Sequence, residues 1–448
     1  MRLKMVRGLS AAETALTRID PLDLSSLPEP VLQRTRDLFG ADATPESSVL
    51  QMLRDVRADG DAAVKRYASR LDGADLDSLQ VPEAELEAAW DTTPDDLKQA
   101  LELAARRITG FHEATLPRDW VDLGGGLGEL VRPLERVGLY APGGTAAYPS
   151  TVLMTAIPAR VAGVSEVVLA TPRRGREPLN STVLAAARIA GVDAVYQVGG
   201  VPAIGALAYG TETIRKVDKI CGPGNVFVAY AKRMVQGQVD IDGVFGPTET
   251  ILLADGTANP VFCAADLIAQ AEHDPMASAI LVTDSQPLID AVEAELDAQI
   301  AGNPRAETIR HSLERQGCIV VVDNFDEAIA VANHIAPEHL CLMVADPWAW
   351  AGRVRNAGGL FLGEFSPEVM GDYIAGPSHV MPTGGTARFS SALSVHHFLR
   401  TMPVVGLSPQ RFTDLGAAAV RIAEAEGLPG HAGAVQARLD YLEATRPV

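Results

Sequence analysis

The sequence predicts an α/β chain: two units of parallel sheet in tandem, flanked by mainly helical arms. Two observations carry that prediction. From about residue 136, short runs rich in Val, Ile and Leu alternate with Ala-rich stretches of helical length, the pattern of parallel strands joined by crossover helices. The pattern then begins again near 250, which points to a second unit and a cleft between the two.

The elements follow in order. Residues 1 to about 130 are charged and helix-rich; in Pro45 to Val56, apolar residues recur at helical spacing. The first unit reads as a strand at 137–140, a helix near 151–163, a strand at 166–170, a helix near 180–190 and a strand at 194–198. The second reads as strands at 250–254, 279–283, 318–322 and 340–344, with helices near 259–273, 287–301 and 325–334 between them. From 386 to 448 the texture returns to helix and loop, expected to pack on a neighbour.

Composition excludes several classes of function. With 448 residues, 47% of them hydrophobic, and 40 glycines and 29 prolines scattered along it, the chain is globular and long enough for two to four domains. A net charge of -19 without any Lys/Arg cluster repels nucleic acid and anionic membranes. Cys221, Cys263, Cys318 and Cys341 are too widely spaced for a CxxC motif and read as buried thiols in a reducing cytoplasm. No run approaches the roughly 18 apolar residues of a membrane span, and the first residues are too polar for a signal peptide.

The most informative local feature is Glu338-His339, two proton-transfer groups of different intrinsic pKa following Pro337, a residue suited to opening a helix. On a helix the two side chains diverge by about a quarter turn and could serve one substrate in different steps. The same pair also fits a solvated helix start. Three glycine-rich turns close strands of the first unit: Tyr140 to Gly144, Gln197 to Gly200, and Cys221 to Asn225. Such turns let backbone N–H groups approach a pyrophosphate, or serve only as tight turns. None matches G-x-G-x-x-G, and Gly124 to Gly128 reads as a hairpin turn.

For a metal, the helix from Pro260 to Asp274 carries an apolar stripe of Val261, Ala264, Ala265, Leu267 and Ile268, with Gln270 and His273 three apart on one face of its last turn. Asp372 and His431 are further candidates that spacing does not decide. His112, His311, His334, His396 and His397 have no such context, and no chemistry is assigned to them.

Taken together, in order, the segments GLYAPGG (138–144), YQVGG (196–200), DKICGPGN (218–225), IDGVFGPTETILLAD (241–255), QAEHD (270–274), APEHL (336–340), GDYIAGPSHVMPTGGTARFSS (371–391) and EGLPGHAGAV (426–435) resemble the histidinol dehydrogenase family over about residues 45 to 440. The ordered set is highly specific. The resemblance implies two tandem Rossmann-like units with helical arms: an N-terminal arm at 1–135, an NAD-binding domain at 136–240, a second domain with the metal and catalytic residues at 241–385, and a C-terminal arm at 386–448. It implies zinc, one per subunit, on Gln270, His273, Asp372 and His431, with His431 reaching the partner's site in an intertwined homodimer. Glu338 and His339 match the catalytic pair. Substrate contacts match Thr248, His379 and Glu426 as well as Gln270, His273, His339, Asp372 and His431, and the NAD site matches Tyr140, Gln197 and Asn225.

The implied chemistry is the four-electron oxidation of L-histidinol to L-histidine through L-histidinal, the last steps of histidine biosynthesis. Two hydride transfers need an alcohol proton removed first and water activated on the aldehyde second. His339, with a neutral imidazole near pH 7, suits the first step, and Glu338 the second. Alternatives are an NAD-dependent relative acting on another polyol, such as a sulfonated propanediol, and a zinc hydrolase in which the same donors activate water for amide cleavage. A non-catalytic zinc scaffold leaves the acid-base pair without a purpose.

Overall fold

Strands such as Glu249–Ala254 and Arg136–Tyr140 are buried along their whole length, so each sheet must be covered on both faces. The computed structural model describes residues 1–16, 24, 27–143 and 147–445, and Gly144 of the first glycine turn lies outside them. The chain divides into two units: Met1–Thr115 with Leu134–Phe398, and Leu116–Pro133 with Leu399–Val448.

The larger unit holds two parallel sheets. One runs Ala194–Tyr196, Glu166–Ala170, Arg136–Tyr140, Lys219–Cys221, Asp240–Ile241; in chain order that is third, second, first, fourth, fifth. The other runs Lys4–Arg7, Cys318–Val321, Ser278–Thr283, Glu249–Ala254, His339–Met343, Gly359–Leu362. Setting aside its N-terminal strand, it repeats the same order. In each, the direction of winding reverses beside the first strand, which opens a crevice at that point. Helix Pro45–Tyr67 begins with a capping box between Thr44 and Ser47 and buries Val49, Met52, Leu53 and Val56 in the core that also holds Ile204 and Leu207.

The smaller unit is built on an antiparallel sheet in which Leu127–Pro133 pairs with both Trp120–Asp122 and Leu399–Val405. The Gly124–Gly126 segment is the hairpin turn expected of it. Helices Pro409–Ala425 and Pro429–Ala444 pack together with Gly416 against Leu439, where a Cβ would stand 2.7 Å from Leu439 Cδ2.

The α/β class is as expected, and several elements differ from the sequence reading. Lys4–Arg7, in the segment read as helical, pairs in parallel with Cys318–Val321; four residues are too few to display a period. Leu399–Val405 is a strand inside the segment read as helix and loop. Lys219–Cys221, Asp240–Ile241 and Gly359–Leu362 add strands that short, glycine-flanked runs did not announce. Glu338-His339 is not a helix start. Helix Phe325–Ile335 ends at Ala336, in the left-handed region at φ 51°, and Pro337 then feeds His339–Met343 as a strand. The stripe of Pro260–Ala271 is also rotated: Val261 and Ala265 are exposed, while Cys263, Asp266, Leu267 and Gln270 face inward. Among the described residues, no helix is long and apolar enough to cross a membrane.

Ala336 is the only described non-glycine residue with positive φ. Its Cβ crowds the carbonyl there, and glycine would relieve that crowding at the cost of a more flexible unfolded chain. Ala336→Gly is therefore expected to raise stability by about 0.5–1 kcal/mol, measured as a higher urea midpoint at unchanged slope.

Candidate active site

The site forms at the amino ends of two neighbouring strands of the six-stranded sheet. His339 opens its strand paired beside Thr250, and Thr248 immediately precedes the strand Glu249–Ala254. Thr248 Oγ1 donates to Glu338 Oε2 at 2.6 Å, and the Glu249 N–H donates to the same oxygen at 3.1 Å. Gln270 Nε2 donates to Thr248 Oγ1 at 3.1 Å, so the last turn of helix Pro260–Ala271 is tied to the same point. Burial pushes the Glu338 carboxyl up, with the His339 imidazole pulling the other way.

His339 lies at the centre. Its Nδ1 is 3.8 Å from Glu338 Oε2 and 3.9 Å from Glu368 Oε2, and its Nε2 is 3.7 Å from Asp372 Oδ1. These are ion-pair separations too long for hydrogen bonds, and both ring nitrogens are buried without a hydrogen-bond partner. Burial alone lowers the imidazole pKa, but Glu338, Glu368 and Asp372 outweigh it and raise it to about 10. The three carboxylates around the ring thus favour its charged form, against the neutral imidazole the sequence suggested.

Glu368 was not foreseen. It is buried, accepts a hydrogen bond from Thr250 Oγ1, and is pushed up to about 7 by burial. Its signal was available: Glu368 and Asp372 are four apart on one helix, Glu368–Tyr373, and so share a face.

Asp372 is raised by burial but held low by His339, His379 and His273 around it. His379 bridges two sets of elements. Its Nδ1 lies 2.9 Å from Asp372 O and its Nε2 3.3 Å from Thr151 Oγ1, in the first turn of helix Pro149–Val161. That helix begins after the carboxyl end of Arg136–Tyr140, so the carboxyl edge of the five-stranded sheet faces the amino edge of the six-stranded one. His273 lies just past its helix instead of in the last turn, because the chain turns into Asp274-Pro275 and the residue before a proline disfavours helix.

Thr248, Gln270, His273, Glu338, His339, Asp372 and His379 therefore converge within the larger unit. Glu426 and His431 belong to the smaller one: Glu426 caps helix Pro409–Ala425, His431 lies in the first turn of Pro429–Ala444, and both are exposed. Among the described residues, no group of three or more His, Cys, Asp or Glu stands ready-made for a metal. The donors in the larger unit still fit one: Gln270 Oε1 is a buried acceptor with no partner, and Asp372 is held low by the imidazoles around it.

The glycine turns lie at the carboxyl ends of the five-stranded sheet. Tyr140 is buried with its hydroxyl accepting from the Gly200 N–H at 3.0 Å. Gln197 is held at both ends, its Oε1 by Arg173 at 2.9 Å and its Nε2 by Ser78 O at 2.8 Å. Asn225 is exposed, and its Oδ1 caps helix Val226–Val235 through the N–H groups of Phe227 and Val228. Beside these loops lies a cleft lined by Pro142, Gly143, Thr171, Pro172 and Arg174. All four cysteines are buried and free. His112, His311, His334, His396 and His397 lie outside the cluster; His112 is buried and His334 pairs with Glu13 at the surface.

Comparison with known proteins supplies the family. Residues 40–439 match the profile described as histidinol dehydrogenase. A histidinol dehydrogenase from Dehalococcoides mccartyi is 47% identical over 440 residues, covering 98% of this chain and 100% of that protein. One from Deinococcus radiodurans is 48% identical over 441 residues, with the same coverage of 98% and 100%. The crystal structure of histidinol dehydrogenase from Elizabethkingia anophelis superposes with a TM-score of 0.91 at 33% identity, covering 98% of this chain and 99% of that one. The chain belongs to the histidinol dehydrogenase family.

Proposed function

We propose that the protein oxidises L-histidinol to L-histidine through L-histidinal, with NAD and one zinc per subunit, as a cytoplasmic homodimer whose active sites are shared between subunits. The observation that carries this reading is the buried cluster in which Glu338, His339, Asp372, His379, Gln270 and Thr248 converge. The names of the relatives favour histidinol over another polyol, and an acid-base pair serving two oxidations favours a dehydrogenase over a hydrolase.

Gln270, His273 and Asp372, with His431 of the partner, would hold the zinc, which when bound anchors the substrate's nitrogens, while NAD accepts hydride. The rest falls to the chain's own side chains. His339 takes the alcohol proton; neutralising Asp372 and Glu368 lowers its pKa from about 10 toward a usable base. Glu338, fixed by Thr248 and the Glu249 N–H, is set to take a proton from the water that adds to the aldehyde. Thr248 and His379 border the substrate, and Glu426 faces its polar end. Tyr140, Gln197 and Asn225 shape the loops that receive the nucleotide.

The reading of shared sites is supported by the placing of Glu426 and His431 in the smaller unit, both exposed. The smaller unit exposes Leu123, Val405, Leu415, Ile422 and Tyr441, each more than half open to water, a surface suited to a second copy of the chain.

The test is an assay with L-histidinol, NAD and controlled zinc. Two NADH should form per histidinol consumed, chelation should stop turnover while NAD binding persists, and Glu338→Gln should depress the aldehyde-to-acid half more than the alcohol-to-aldehyde half. Equal depression of both halves would remove Glu338 from the water step.

A pH profile tests the carboxylates around His339. The base form appears as pH rises through its pKa, so kcat/KM should climb with pH; Glu368→Gln removes a neighbouring negative charge and should move that limb to lower pH. A limb that stays in place would separate Glu368 from His339.

Mixing His431→Ala with Glu338→Gln subunits should restore up to about a quarter of wild-type activity, because half of the dimers are hybrids with one intact site. No recovery on mixing would mean that each site is built by one chain.

A further inference from the structure

A buried ion pair on the nucleotide side has no part in the chemistry above. The side chains of Lys232 and Asp242 are 2% and 1% exposed and bonded to each other. Removing two ions from water is costly unless they also satisfy other groups. What they satisfy is the backbone of one residue, on both sides of its Cα. The Gly222 N–H donates to Asp242 Oδ2 at 2.6 Å, and Gly222 O accepts from Lys232 Nζ at 2.9 Å.

Gly222 is the first residue beyond Lys219–Cys221, where the winding of the five-stranded sheet reverses. It has φ 121°, and a Cβ there would stand 2.1 Å from Tyr140 O. Lys232 comes from helix Val226–Val235, the helix that Asn225 caps. Asp242 opens the linker to the other sheet. Along that linker the Phe245 ring lies 4.9 Å from Lys232 Nζ, the Gly246 N–H donates to Thr383 Oγ1 at 2.6 Å, and Thr248 holds Glu338.

We propose that Lys232 and Asp242 are positioning residues: their ion pair fixes the loop Gly222–Asn225 and the linker to Thr248 as one piece, setting nucleotide and substrate at a constant separation. This rests on the reading of that loop as part of the NAD site. Neither residue touches a reacting atom. Both act through the Gly222 backbone and the linker.

The experiment compares wild type, Asp242→Asn and the double variant Lys232→Met/Asp242→Leu, all zinc-loaded. Each is measured for melting temperature, NAD affinity by calorimetry, zinc content and kcat at saturating NAD. Apolar replacement of both ions removes the burial penalty and restores folding, but it cannot hold Gly222. The expected result is a folded double variant with native zinc content, NAD affinity weakened roughly tenfold and kcat reduced roughly tenfold to a hundredfold. Native affinity and kcat in a folded variant would overturn the inference alone, as would failure of both variants to fold, which makes the pair a folding requirement only. Absence of NAD binding by the wild type would overturn the nucleotide reading, and this inference with it.

Discussion

The arrangement depends on one imidazole held among carboxylates away from water. His339 has Glu338 and Glu368 on one ring nitrogen and Asp372 on the other, all within 4 Å, and no hydrogen bond to any of them. Burial pushes both Glu338 and Glu368 up, with the Asp372 charge adding a smaller push, while Asp372 stays low near three imidazoles. Such a set is unbalanced by itself. A dication beside Asp372 and the free Gln270 oxygen would balance it.

Rigidity comes from the sheets. The Glu338-His339 pair sits where a helix ends and a strand begins, with register fixed on both sides by parallel neighbours. The Thr151 to His379 contact then joins this amino edge to the carboxyl edge of the other sheet. Two sheets wound in the same order thus use opposite edges, and a ligand on one can meet a ligand on the other.

Much of this was legible in the sequence. Strands such as Ser278–Thr283 and Glu166–Ala170 are continuous β-branched and aliphatic runs, and buried parallel strands read plainly. Glu338, His339, Gln270, Asp372 and His379 were legible because their motifs are. What escaped detection depended on distant partners. Lys4–Arg7 is a strand because Cys318–Val321 offers it an edge, and His339 is in a strand because Thr250 lies beside it; neither partner is visible locally. The helix stripe was misread at Val261 and Ala265 because buried polar residues, Asp266 and Gln270, define the inward face, and hydrophobicity alone cannot see them. Glu368 was passed over for the same reason: an acidic residue in a short helix reads as solvated until its surroundings exclude water.

The N-terminal strand carries a consequence for how the chain matures. The Leu3 N–H bonds Glu293, 290 positions later, and Met5 pairs with Ile319. As the chain is made, those first residues emerge from the ribosome long before their neighbours exist, and the sheet must leave an open edge until they return. Such long-range closure is slow, and an unfilled edge invites pairing with foreign strands. Completion of the larger sheet thus waits on four residues, Lys4–Arg7, at the far end of the sequence from the strand they join.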